Sequence, residues 1–204
     1  MQGKRLVLAS GSPRRKELLA GLGVTFDIVV SDVDETITDP TDPVEVVQEL
    51  AYRKARAVAN TLSDALVIGA DTIVVHEGTI LGKPQDEADA KRMLRQLSGQ
   101  THTVYTGLAL IETTSDGGEA RVVRDVCGTQ VVMKELTDET IARYVATGEP
   151  SDKAGAYAVQ GLAAQFVTEL HGDYFNVVGL PLATLSDHLT AFGWELLPPA
   201  SSGR

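Results

Sequence analysis

Leu6, Val7 and Leu8 form a short apolar run that ends in a polar Ser-Gly-Ser turn, the pattern of a buried strand. Ser12 then stands as an N-cap with Pro13 at the first helical position, and Leu18, Leu19 and Leu22 supply an inward face before Gly23. Phe26 to Val30 reads as a second strand. Pro43 to about Leu62 reads as a long helix whose stripe is Val47, Leu50, Ala51 and Val58. Leu66 to Val75 is apolar apart from Gly69, Asp71 and Thr72, which predicts a buried strand carrying one acidic residue. A turn at His76-Glu77-Gly78 leads through Ile80-Leu81 into Gly82-Lys83-Pro84.

From Asp86 the apolar positions Ala90, Met93, Leu94 and Leu97 step at helical spacing until Gly99. Val104 to Ile111 and Arg121 to Met133 are β-rich and flank the loop Thr114 to Gly118, so they predict paired strands. Thr137 caps a helix through Val145 that stops at Gly148-Glu149-Pro150. Short strands are expected around Tyr157, Phe166 and Tyr174, then a last helix from about Leu182 to Phe192. Helices and strands mixed in this way imply an α/β or α+β sheet sandwiched by helices. No repeat or long linker divides the chain, so a single domain over 1–196 is expected, with a loose tail over 197–204.

Composition narrows the function. The 204 residues carry a net charge of −10, which argues against a broad nucleic-acid surface, since such surfaces are cationic. A small phosphorylated ligand in a locally basic pocket is still allowed. No apolar run reaches the roughly 18 residues needed to span a bilayer. A lone cysteine, Cys127, permits neither an internal disulfide nor a cysteine-rich zinc site, and the expectation is a soluble cytoplasmic protein.

Several charges sit where propensity would not put them. Arg14, Arg15 and Lys16 crowd the first turn of the opening helix, where the dipole disfavours cations; the cluster is either a solvated basic cap or an anion site. Lys54 falls in the middle of the apolar stripe of its helix, so it must snorkel, pair with a carboxylate or reach an anionic ligand. Arg53 and Arg56 point elsewhere and read as solvent-facing charges. Asp71 lies in an apolar strand, where a carboxylate is costly unless paired, hydrogen-bonded or bound to metal. Glu35, in Ser-Asp-Val-Asp-Glu, is either a second metal or water ligand or part of a solvated acidic loop. Lys83 is held in a Gly-Pro turn that would aim its ammonium repeatably, while Asp86 is a natural N-cap. Gly155, Gln160 and Gly161 would permit a close backbone approach by a ligand. The four histidines show no ligand spacing and read as surface or structural.

Six blocks then fall in order: Leu-Ala-Ser-Gly-Ser-Pro-Arg-Arg-Lys-Glu-Leu-Leu, Gly-Ala-Asp-Thr-Ile-Val, Leu-Gly-Lys-Pro, Leu-Ser-Gly-Gln-Thr-His, Asp-Lys-Ala-Gly-Ala-Tyr-Ala-Val-Gln-Gly and Gly-Asp-Tyr-Phe-Asn-Val-Val-Gly-Leu-Pro-Leu. Together they resemble the Maf family of nucleoside triphosphate pyrophosphatases, from about Leu6 to Leu189. The resemblance implies an α/β fold of the inosine-triphosphatase-like type, with a central mixed twisted sheet, flanking helices and two lobes around a cleft. It implies cleavage of a nucleoside triphosphate to monophosphate and pyrophosphate, a divalent metal (Mg²⁺ or Mn²⁺) and a homodimer. The family's acidic catalytic position falls on Asp71, its anion-binding positions on Ser10, Arg15, Lys54 and Lys83, and its additional acidic position on Glu35. Asp71 and Glu35 are the implied metal ligands.

The branch of the family acting on dTTP and UTP has Arg, Thr and Gln at three positions where the methyl-GTP branch has Trp, Gln and Glu. This sequence resembles the former, with Arg14, Thr72 and Gln160. The competing expectation is a nucleotide-binding regulator of septum formation that does not turn its ligand over.

Overall fold

The computed structural model describes residues 4–36 and 42–197. Its centre is a seven-stranded mixed sheet built from β1 (Arg5–Leu8), β2 (Asp27–Ile28), β3 (Ala65–His76), β4 (Thr79–Leu81), β5 (Thr101–Thr113), β6 (Glu119–Met133) and β7 (Val167–His171). The order across the sheet is β2-β1-β3-β5-β6-β7, with β4 paired to the last residues of β3 on the edge that β1 occupies at its start. β1 runs parallel to β2 and β3, and the other pairings are antiparallel.

The helices form where capping residues and apolar period agree. Ser12 caps α1 (Pro13–Gly21), and Asp42 caps α2 (Pro43–Ala59) by accepting from Val44 N at 2.9 Å. Asp86 caps α3 (Glu87–Leu97) through Asp89 N at 2.8 Å, and Thr137 caps α4 (Asp138–Val145) through Thr140 N at 3.2 Å. Two more helices, α5 (Tyr174–Val178) and α6 (Leu182–Ala191), close the chain.

Two expected strands, around Tyr157 and Tyr174, are absent, and the one around Phe166 starts one residue later. Tyr157 follows a 3₁₀ turn, Phe166 ends a 3₁₀ helix over Gly161–Phe166, and Tyr174 opens α5. None of the three sits in a strand; β7 begins only at Val167. These apolar residues are anchored by tertiary contacts, not by a strand period: Tyr157 stacks edge-on to His102 and Phe166 edge-on to Tyr144. The second strand is also shorter than Phe26–Val30, and the long helix stops at Ala59. Of the expected tail, only Leu197 lies within the described residues, and it is exposed.

β3 is covered on both faces, which is why it reads as a continuous apolar run. On one face Leu66, Ile68 and Ala70 pack with Leu19 of α1 and Leu185 and Leu189 of α6. On the other, Ala65 and Val67 pack under Ala51, Ala55 and Val58 of α2. A second core gathers around α3 and α4, with Met93, Leu94, Ile141 and Tyr144 against Val131 and Met133 of β6. The long strands thus carry two lobes.

Candidate active site

The site grows out of an interruption in the sheet. β1 pairs with β3 only as far as Ile68, where Ala9 N still donates to Ile68 O at 2.8 Å, and β4 takes up the same edge from Val74. Between them Ala70 to Ile73 face neither strand. Crevices at the carboxyl end of a strand, where connections diverge, are the usual ligand sites of such sheets. Asp71 and Thr72 sit in this gap and, by strand alternation, point to opposite faces.

On the α2 face two glycines set the distance. A Cβ on Gly69 would lie 2.7 Å from Ala55 N, and one on Gly107 would lie 2.7 Å from the Val47 carbonyl carbon, so α2 can lie directly on β3 and β5 only because both are glycine. Lys54 is thereby brought onto the carboxylate of the next residue on that face, Asp71, and its Nζ is hydrogen-bonded to Asp71 Oδ1. The same Nζ is 2.9 Å from Glu35 Oε1. Of the alternatives for Lys54, pairing is the one realised, and the Asp71 side chain is 12% exposed, so the buried carboxylate is partnered.

Glu35 is positioned by a residue that reads as solvent-facing in the sequence. Arg53 Nη1 donates to Thr36 O at 3.0 Å and to Asp34 O at 3.4 Å, gripping the carbonyls on either side of Glu35. The Lys54 ammonium, through its hydrogen bond and then its charge, holds the Glu35 carboxyl below the usual carboxylate range against partial burial, and Lys83 and Arg15 add to this. Lys83 is exposed and is linked to the cluster through its charge alone. Its chain leaves β4 opposite Val74, and Gly155 N donates to the preceding carbonyl, Gly82 O, at 3.0 Å.

On the other face Arg15 is held at three points: Nε donates to Gly179 O at 2.7 Å, Nη2 to Thr72 Oγ1 at 3.0 Å and Nη1 to Ser10 Oγ at 3.4 Å. Burial lowers the guanidinium's pKa, and the charge of the Asp71 carboxylate opposes the shift. Ser10 Oγ also accepts from Ser12 N at 3.2 Å, at the start of α1. Arg14, one residue earlier, acts on Asp152 of the opposing lobe, whose carboxyl is held low mainly by Lys153 and in small part by Arg14.

Seven expected residues therefore converge: Ser10, Arg15 and Thr72 by hydrogen bonds, Lys54, Asp71 and Glu35 by ion pairs, and Lys83 by charge. Arg14 and Gln160 are not among them. Gln160 is exposed on the second lobe, just before the Gly161–Phe166 helix, and makes no hydrogen bond to the cluster among the described residues. Sequence reasoning missed Thr106, Asn176 and Gly179. Their signal is faint: an Asn amid an apolar run, and a glycine whose φ of 126° ends α5 under the Arg15 guanidinium.

The Asp71 and Glu35 oxygens meet at one cation position, taken here by Lys54 Nζ. Hard carboxylate oxygens of this kind, supplemented by phosphate oxygens, suit Mg²⁺ or Mn²⁺. No group of three or more potential metal ligands occurs among the described residues, so the remaining ligands of such an ion would be water or phosphate oxygens.

Residues 5–192 match the family model described as Maf-like protein. The chain belongs to the Maf family. It is 55% identical to a protein of Pelotomaculum thermopropionicum named dTTP/UTP pyrophosphatase, over 95% of this chain and 100% of that one. A protein of the same name from Bacillus cereus is 51% identical, over 95% of this chain and 92% of the relative. The Ham1 protein of Staphylococcus aureus superposes with a TM-score of 0.53 at 16% identity, covering 93% of this Maf chain and all of Ham1. That likeness concerns the fold, and the inosine-triphosphatase-like architecture expected for a Maf protein holds.

Proposed function

We propose that this Maf protein is a nucleoside triphosphate pyrophosphatase that hydrolyses dTTP and UTP to the monophosphate and pyrophosphate. The carrying observation is the Lys54 bridge between Asp71 and Glu35 at the gap in β3, with Arg15 and Lys83 at its margins. A triphosphate has close to four negative charges, and its α-phosphorus is shielded from a nucleophile until cations draw that charge off. Arg15, already oriented by three acceptors, keeps further N–H groups for phosphate oxygens, and Lys83 and Lys54 supply point charges. Asp71 orients a water and takes its proton as the water oxygen bonds to the α-phosphorus. The bond from that phosphorus to the α–β bridging oxygen breaks, and pyrophosphate leaves with its charge met by the lysines and Arg15. A divalent metal, Mg²⁺ or Mn²⁺, would be held by Asp71 and Glu35 and would supply polarisation of the phosphate oxygens.

The choice of dTTP and UTP is supported by the names of the relatives that are 50–55% identical, and in this reading it belongs to Arg14, Thr72 and Gln160. The homodimer implied by the resemblance is part of the same proposal, and sedimentation of the purified protein tests it. No helix among the described residues is long and apolar enough to cross a membrane. The deciding experiment incubates the protein and Mg²⁺ or Mn²⁺ with dTTP, UTP, CTP, ATP and GTP and identifies the products. Monophosphate and pyrophosphate from dTTP and UTP are expected. Orthophosphate release, or saturable binding with no product, would overturn the assignment, the latter in favour of a non-hydrolysing regulator.

A further inference from the structure

We propose that Glu149 is a positioning residue for base selection: its carboxylate pins the backbone of Gly161 and Leu162 and so fixes where Gln160 presents its amide. The inference rests on the reading of Gln160 as a base-reading residue. Gln160 is exposed and its side chain has no hydrogen-bond partner among the described residues, so only its backbone can place it. That backbone is held from one side. Glu149 Oε1 accepts from Leu162 N at 3.0 Å, across thirteen residues.

The intervening Gly161 has φ +79°, and a Cβ there would run into Glu149 Oε1 and sit 3.2 Å from its Cδ. The glycine is therefore demanded twice, by its left-handed backbone and by the carboxylate packed against it. Glu149 itself opens the 3₁₀ turn Glu149–Asp152, with its N–H on Thr147 Oγ1 at 3.2 Å.

The second carboxylate oxygen ties this clip to the lobe's core. Glu149 Oε2 is buried without a partner, and so is the hydroxyl of Tyr144. Burial first, and the Glu149 carboxylate next, push the Tyr144 pKa up. The Tyr144 ring packs edge-on to Phe166, with centroids 5.1 Å apart, and Phe166 ends the 3₁₀ helix that Gly161 begins. One end of the segment after Gln160 is thus held by the turn that follows α4, and the other packs on α4 itself. Glu149 O also accepts from Lys153 Nζ at 2.9 Å, and the neighbouring Asp152 feels Arg14.

The experiment compares kcat and KM for UTP and CTP across Glu149→Ala, Glu149→Gln and Gln160→Ala. Loss of one fixed hydrogen bond predicts that Glu149→Ala lowers the UTP-over-CTP ratio of kcat/KM roughly ten-fold, through KM, with kcat for UTP within about three-fold of wild type. Glu149→Gln keeps an oxygen for the Leu162 N–H and restores the ratio. A merely structural clip would lower kcat for both nucleotides alike, and that result overturns the proposal. If Gln160→Ala lowers the ratio and Glu149→Ala does not, the positioning role fails. If neither changes it, the reading of Gln160 itself fails. Should Glu149→Ala not fold, Gly161→Ala, which drives a Cβ into the same carboxylate, is expected to lower the ratio likewise, and an unchanged ratio there is equally fatal.

Discussion

Gly69 lies so close beneath Ala51 that a Cβ would strike the Ala51 carbonyl oxygen, and it would meet the Ala55 amide nitrogen at 2.7 Å. These obstacles are helix backbone, which cannot swing aside as a flexible side chain can. Gly69→Ala must therefore lift α2 from β3, and Lys54 rides on α2. The expected cost is about 3 kcal/mol, or a Tm lower by roughly 6–12 °C. Gly21→Ala, with nothing within 4 Å of the added carbon, is expected to leave Tm unchanged or slightly raised. Thermal melts of both variants decide the matter; a Gly69→Ala protein as stable as wild type would show that the close approach of helix and strand is not what fixes Lys54.

The Asp71 carboxylate should be indispensable to turnover in a way that its neighbours are not. Asp71→Asn preserves volume and an oxygen near Lys54 but cannot take a proton from water, so a rate loss of about 10²-fold or more is expected. Pyrophosphate release measured at saturating UTP gives the answer. Activity within a few-fold of wild type would remove Asp71 from its role as base.

Lys54 and Asp71 were legible in the sequence because each breaks a pattern: a cation on an apolar stripe, and an acid in an apolar strand. The caps Ser12, Asp86 and Thr137 were legible for the opposite reason, since each satisfies a local rule. Arg53 was not, because its partners are carbonyls of a loop seventeen and nineteen residues away, and main-chain acceptors leave no trace in composition. The turn before Tyr157 reads as a strand in the sequence for a related reason. Short 3₁₀ segments have neither the two-residue nor the 3.6-residue period, so an isolated aromatic in them looks like a strand residue. Glu149 was invisible because its carboxylate serves a backbone N–H thirteen residues on.

His102 should make stability depend on pH. It is 2% exposed, its Nε2 lies 2.6 Å from the Tyr157 hydroxyl, its Nδ1 is buried without a partner, and His76 is the other charge it feels. Burial lowers its pKa to about 4, against 6.5 for an unperturbed histidine. Between those values the unfolded chain binds a proton that the folded one refuses, so stability rises with pH across roughly 4 to 6.5 and is lost on acidification. The difference is worth about 3 kcal/mol at most. Melts from pH 7.5 to 4.5 should show wild type falling more steeply than His102→Gln; parallel curves would mean that His102 is protonated in the folded protein.

Thr72 is paired directly across the β3–β5 ladder with Thr106, and the order of their hydrogen bonds follows from one constraint. Thr106 has a single hydroxyl proton and gives it to Asn176 O at 2.9 Å, so at its 2.8 Å contact with Thr72 it must accept. Thr72 then donates inward and can only accept from Arg15 Nη2, which fixes that guanidinium in turn. Asn176 is held beyond by its Nδ2, which donates to Val104 O at 3.0 Å and to Thr129 Oγ1 at 2.8 Å. Thr106→Val keeps the shape of the side chain and removes the relay. It should cost about 1–2 kcal/mol, for a buried carbonyl and hydroxyl left unpaired, and lower kcat/KM for UTP roughly ten-fold as Arg15 loosens. Thr106→Ser retains the proton and should recover most of the activity despite its lost methyl group. A valine variant as active as the serine one would show that Gly179 O and Ser10 suffice to hold Arg15 and that the threonine pair contributes to packing alone.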